Sequence, residues 1–215
     1  MNHLLINKLQ QVNPKASELS SILGKENIPF HPVSHVNWTE YPYKPDVTFR
    51  IAHTGKHILL NYKVEESDIT AVCDSDNGKI WEDSCVEFFI SFNDDNFYYN
   101  IECNCIGKIL VGTGAGKNNR SHVSANLLNR IDRWSSLGDL PVKNLSGKWE
   151  LSLIIPIEVF LQNSGITEFT NIQAKGNFYK CGDNLKTPHF LSWNSIQSES
   201  PNFHLPAFFG ALLFE

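Results

Sequence analysis

The sequence predicts an all-β protein: an antiparallel β-sandwich, immunoglobulin-like or jelly-roll-like, with few short helices. Three observations carry this expectation. Apolar runs of strand length recur at short spacing through most of the 215 residues, with turn residues between them. Helical spacing is confined to two short stretches. Pro29, Pro32, Pro42 and Pro45 exclude long regular elements late in the first 45 residues, because proline removes a backbone donor and fixes φ. Many strands with little helix are the pattern of a sandwich. Residues 1–215 are expected to form one domain, with 1–45 as an irregular segment packed on it.

Each element follows from its local pattern. Ser17–Leu23 can form a short helix. Val47–His53 and Ile58–Val64 flank a turn containing Gly55 and read as a hairpin. Cys85–Phe92 and Phe97–Ile106 form the clearest pair, joined by Asn93-Asp94-Asp95-Asn96, which is turn chemistry. Residues 121–134 place Val123, Leu127, Leu128 and Ile131 on one helical face, with a long loop as the alternative. Trp149–Ile155 is a strand stopped by Pro156, and Phe169–Tyr179 and Phe208–Phe214 complete the set.

Composition narrows the function. Eighteen basic and 23 acidic residues give a net charge of −5, without the basic patch that nucleic-acid binding requires. No stretch approaches the roughly 18 apolar residues of a membrane span. The chain is expected to be a monomer. Its N-terminal apolar run, Leu4-Leu5-Ile6, is too short for a secretory signal. Five cysteines, an odd number, favour reduced thiols and a cytoplasmic setting. Cys103-Asn-Cys105 would place two thiols on one strand face, but further ligands at zinc spacing are missing. Buried structural cysteine is the better reading of that pair.

The second hairpin carries the chemistry. Positions summing to 189 face each other across it. Val86 then opposes Cys103, Phe88 Ile101, Ile90 Tyr99, and Phe92 Phe97, one continuous apolar face directed at the core. The period of two sends the alternate residues to the other face. There Cys85 opposes Asn104, Glu87 opposes Glu102, Phe89 opposes Asn100, and Ser91 opposes Tyr98. Two carboxylates then sit roughly 5 Å apart at Cβ, on strands without Lys or Arg. Such a pair requires compensation from a cation, a shared proton or a ligand rich in hydroxyl donors; the bland alternative is two acids splayed into water. Lys175 and Asn177, on the outer face of the later strand Ile172–Tyr179, can supply it if that strand lies alongside. Trp81 precedes Glu87, and Trp193 follows His189-Phe-Leu-Ser. Sugar rings pack C–H faces on indoles and bond their hydroxyls to carboxylates and amides, so aromatic surface beside convergent polar groups suits a saccharide. Trp38, Trp134 and Trp149 read as structural.

The segment Trp81-Glu-Asp-Ser-Cys-Val-Glu-Phe-Phe-Ile resembles the tryptophan-to-glutamate strand of carbohydrate-binding module family 9, a DOMON-like β-sandwich. The likeness extends through Tyr98-Tyr-Asn-Ile-Glu-Cys-Asn, Gly176-Asn-Phe-Tyr-Lys, His189-Phe-Leu-Ser-Trp and Phe203-His-Leu-Pro-Ala-Phe-Phe-Gly. The nearer likeness is to the family 9-like proteins of gut-type bacteria. The resemblance implies non-catalytic binding of a mono- or oligosaccharide such as a xylan or glucan fragment. Trp81 and Trp193 would clamp a terminal sugar. Glu87, Asn100, Glu102, Lys175 and Asn177 would read its hydroxyls. Asn100 lies near a position where the resemblance implies an arginine, and that departure bears on which ligand is preferred. No cofactor is expected, although calcium-binding members of the family leave that ion open.

Other motifs fail on spacing. Gly112-Thr-Gly-Ala-Gly-Lys117 has neither the glycine spacing nor the Ser/Thr of a phosphate loop. Asp74-Ser-Asp-Asn-Gly78 has its glycine one place early for a calcium loop, and Cys85 stands at the twelfth position. A glycosidase built on the Glu87–Glu102 pair, a bis-histidine haem domain, and a ligand-free interaction module are the rivals.

Overall fold

The computed structural model describes residues 1–10, 14–92, 97–161 and 165–215. Their strands are β1 (His3–Lys8), β2 (His31–Pro32), β3 (His35–Val36), β4 (Asp46–His53), β5 (His57–Ala71), β6 (Cys85–Ser91), β7 (Phe97–Asn104), β8 (Ile109–Ala115), β9 (Ser121–His122), β10 (Asp132–Ser135), β11 (Val142–Pro156), β12 (Gln173–Cys181), β13 (Phe190–Ser192) and β14 (Gly210–Phe214). The α-helices are α1 (Leu19–Lys25) and α2 (Ala125–Leu128). No helix is long and apolar enough to cross a membrane.

One sheet runs β10-β11-β5-β4, with β2 on β4; the other runs β14-β12-β6-β7-β8-β9, with β13 and β3 extending from β12. Strand β1 serves both. Its residues His3–Ile6 pair in parallel with β14, and Asn7–Lys8 pair in parallel with β4. The first 45 residues are therefore not merely an irregular segment packed on the domain. Leu4 and Ile6 are buried on one side of β1 while His3 and Leu5 are exposed, and that alternation inserts the strand between the sheets.

Aromatic rings fill the space between the layers. Phe178 of β12 stacks on Phe49 of β4 with centroids 3.6 Å apart, and on Phe88 of β6 at 4.7 Å. Tyr62 of β5 donates its hydroxyl to the Glu87 carbonyl at 2.7 Å. The β4–β5 hairpin turns at Gly55, whose φ of 87° suits glycine.

The expected register of the β6–β7 hairpin is the observed one from Cys85↔Asn104 to Ile90↔Tyr99; residues 93–96 of its turn lie outside the described residues. The helical face expected over 121–134 reduces to the single turn of α2. Ile131 then enters the core just ahead of β10, which pairs with β11. An edge strand wins there because β11 offers an unpaired ladder.

Phe178→Ala should lower the unfolding free energy by about 3–5 kcal/mol, read in urea titration. A loss below 1 kcal/mol would show that the stack does not join the two sheets.

Candidate functional site

The face of β6 and β7 turned away from the inter-sheet core is not open to water. Every residue of β6 is buried. A second apolar cluster of Trp38, Ile80, Phe89, Tyr98, Tyr179, Phe203 and Phe209 covers much of that face. What it leaves uncovered is a cavity of about 430 Å³, lined by Trp81, Glu87, Asn100, Glu102, Arg120 and Phe190 among others, a volume suited to a small ligand.

Strand register builds the floor. Glu102 is flanked by Glu87 on β6 and Leu110 on β8. Asn100 is flanked by Phe89 and Gly112. A Cβ on Gly112 would stand 2.5 Å from the Asn100 amide oxygen, so glycine is required for that amide to lie over β8. The walls come from outside these strands. Trp81 belongs to a short 3-10 turn, Ile80–Glu82. Arg120 and His122 follow β8, and Asn202, Phe203 and His204 precede β14.

The two opposed acids are 3% and 4% exposed. Glu87 Oε1 accepts the Cys181 thiol at 3.0 Å, and Glu102 Oε1 accepts the Asn100 amide at 2.7 Å. Glu102 Oε2 is buried with no hydrogen-bond partner, a costly state for a carboxylate oxygen. Burial, reinforced by Glu102, raises the Glu87 carboxyl well above its ordinary range. Burial likewise raises Glu102 to about 7, against the pull of the Asn100 amide and Arg120. The pair thus retains a proton near neutral pH and titrates as a unit.

Cations also compensate, and Lys175 is not among them: Lys180 of β12 acts on Glu87 and Arg120 on Glu102. Arg120 donates Nε to Asn100 Oδ1 at 2.9 Å, and its other nitrogens to the carbonyls of Tyr98, Gly114 and Gly116 at 2.8–3.1 Å. Its guanidinium lies 4.1 Å from the Tyr98 ring centroid. The Tyr98 hydroxyl donates to the Gly116 carbonyl at 2.8 Å and contacts His204 Nδ1 at 2.9 Å. Its one proton being used, Nδ1 of His204 must carry the hydrogen and Nε2 remains an acceptor. Burial holds His204 neutral, with a pKa of about 3.

The expected site residues divide. Trp81, Glu87, Asn100 and Glu102 meet at the cavity. Lys175, Asn177 and Trp193 do not. Lys175 is exposed and pairs with Ser91 and Ala211. It lies four residues along β12 from Tyr179, the partner of Glu87, about 13 Å at strand rise. The Asn177 amide is consumed within the fold, donating to the Asn194 carbonyl at 3.0 Å and accepting from the Phe178 and Asn194 amides at 2.9 Å. Trp193 is packed into the inter-sheet core at right angles to Phe49 and Phe178. Strand parity explains the swap: Leu191 and Trp193 point inward, and Phe190 is the β13 residue that reaches the cavity. Asp76, of the segment resembling a calcium loop, accepts from the Ile109 amide at 3.0 Å and pairs with Arg133 at 2.7 Å.

The sequence pattern of carbohydrate-binding family 9 matches residues 17–214. The chain belongs to carbohydrate-binding family 9. Family 9 members are non-catalytic binding modules. A Bacteroides uniformis protein provisionally described as carbohydrate-binding is 49% identical, with 99% of each chain covered and a TM-score of 0.95. A family 9 module of Caldicellulosiruptor kristjanssonii, solved with glucose, shares the fold at 12% identity and a TM-score of 0.64, covering 100% of this chain and 96% of that one. The same description with cellotriose gives 11% identity and 0.61, covering 100% and 94%. No curated protein matches the chain. Asn100 stands near a position where the family resemblance implies an arginine, and Arg120, from the segment after β8, donates to it.

Glu102→Gln tests the electrostatics. The carboxyl is raised from 4.5 to about 7, so its contribution to stability is complete below about pH 4.5 and lost as pH rises through 7. The variant should match the parent near pH 4.5 and melt higher at pH 8, by about 2–4 °C for each kcal/mol relieved. Equal melting temperatures at both pH values would contradict the buried, strained acid.

Proposed function

We propose that the cavity above Glu87 and Glu102 binds a saccharide without chemical conversion. The observation that carries this reading is the Glu102 carboxylate oxygen, buried beside the cavity with no donor from the protein. A sugar hydroxyl can supply that donor. A carboxyl pair holding a proton can both donate to and accept from vicinal hydroxyls, and the Asn100 amide extends the same polar strip. Trp81 stacks on no other ring among the described residues, which leaves an indole face for the apolar side of a pyranose. Phe190 is the second aromatic wall, in the role expected of Trp193. Trp38 supports Phe190 edge-on at 6.2 Å.

Family membership supports the ligand class, and the Caldicellulosiruptor modules solved with glucose and with cellotriose supply the first probes. Calorimetric titration with these two sugars and a panel of xylo- and gluco-oligosaccharides should give saturable heat. Trp81→Ala should weaken binding about tenfold or more, roughly 1.4 kcal/mol, whereas Lys175→Ala should leave it unchanged. Binding that is indifferent to Trp81→Ala, or no heat with any sugar of the panel, would refute this reading.

A further inference from the structure

None of the five cysteines forms a disulfide. Cys103 and Cys105 face the main core, as expected of structural thiols. Cys85 and Cys181 lie on the opposite side, directly paired across β6 and β12, and Glu87 is two residues along β6 on the same face. The sulfurs of Cys85 and Cys181 and a carboxylate oxygen of Glu87 all lie within 4.8 Å of one another, and all three residues are buried. This convergence is independent of Cys103-Asn-Cys105, the pair that sequence spacing brings forward.

We propose that Cys85, Glu87 and Cys181 form a site for a thiophilic divalent cation of the zinc class, at the edge of the cavity floor. Two sulfurs and one carboxylate oxygen select a borderline-soft ion over calcium or magnesium, which take oxygen alone. Tetrahedral zinc with sulfur at about 2.3 Å and oxygen at about 2.0–2.2 Å places its ligand atoms about 3.5–3.8 Å apart. The observed cluster, within 4.8 Å, closes by about 1 Å to reach that spacing. Glu87 and Cys181 both line the cavity, so the fourth coordination position opens into it, the arrangement of zinc sites that accept an external ligand. The ion displaces the two thiol protons and the proton held by Glu87, all three released to solvent, forming two metal–sulfur bonds and one metal–oxygen bond without any change of oxidation state. It also neutralises the charge that Glu87 presents to Glu102.

This inference does not rest on saccharide binding, and its test uses metal alone. The full chain, reduced and stripped with chelator, is titrated with cobalt(II). One equivalent should produce a thiolate-to-cobalt charge-transfer band in the near ultraviolet, which zinc then abolishes. The band should survive Cys73→Ser and Trp81→Ala and vanish in Cys85→Ser and Cys181→Ser. If those two variants fail to fold, alkylation of the unmodified protein in urea just below its unfolding transition decides: zinc should slow modification of Cys85 and Cys181 while Cys73 reacts at an unchanged rate. Absence of the band in protein whose five thiols are all reduced, its persistence in Cys181→Ser, or a lack of zinc protection would overturn the site. A change in Trp81→Ala sugar affinity with the cobalt band intact would leave the two readings separate.

Discussion

The structure around the cavity depends on one constraint: two glutamates placed directly opposite each other on a sheet face that is closed to bulk water. Two other buried acids have charged or multiple polar partners. Glu66 meets Lys180 Nζ at 2.8 Å and the Trp149 indole at 2.7 Å. Asp83 accepts from the Val72 and Cys73 amides and from Asn104 at 2.8–3.0 Å. Buried charge normally persists only with such partners. At Glu87 and Glu102 the chain supplies a thiol, one amide and a nearby guanidinium, and stops short of a full complement. The acids are kept partly protonated instead. A surface that retains unmet polar capacity under a roof of aromatic rings is arranged to be completed from outside.

The roof is itself a consequence of the outer face being buried. Phe203 stacks on Tyr179 at 4.2 Å, and Phe89 on Tyr98 at 5.9 Å. The first pair joins the late loop to β12 and the second joins β6 to β7, so strands and loop form one frame. Arg120 pins the segment after β8 to the same frame through backbone carbonyls, because its fork of donors can meet several at once.

Much of this was legible in the sequence, for definite reasons. The β6–β7 register follows from period-two alternation and a turn-rich link, and it fixed the Glu87–Glu102 and Phe89–Asn100 pairs. The adjacency of β12 to β6 was left open by its pattern and comes from the structure. What failed was inference about which side of a strand a residue takes when the neighbouring pattern is ambiguous. Phe190-Leu-Ser-Trp193 alternates large residues on both faces, so Trp193 could be exchanged for Phe190. Lys175 shared the correct face but stood too far along its strand. Arg120, Phe203 and His204 come from connecting segments whose path no periodicity records; Gly114 and Gly116, at φ of 150° and 68°, hint only that the chain turns sharply there. The Cys85–Cys181 pair joins strands 96 positions apart in sequence, beyond the reach of any local spacing rule.

The most direct test of the central claim is carbon-13 spectroscopy of the glutamate carboxyls across pH, with and without added cellotriose. The account predicts two carboxyls that titrate far above the ordinary range, Glu102 near 7, both of them shifting when the sugar binds. Glutamate carboxyls that all titrate at ordinary values, or that remain still while the sugar binds, would contradict it.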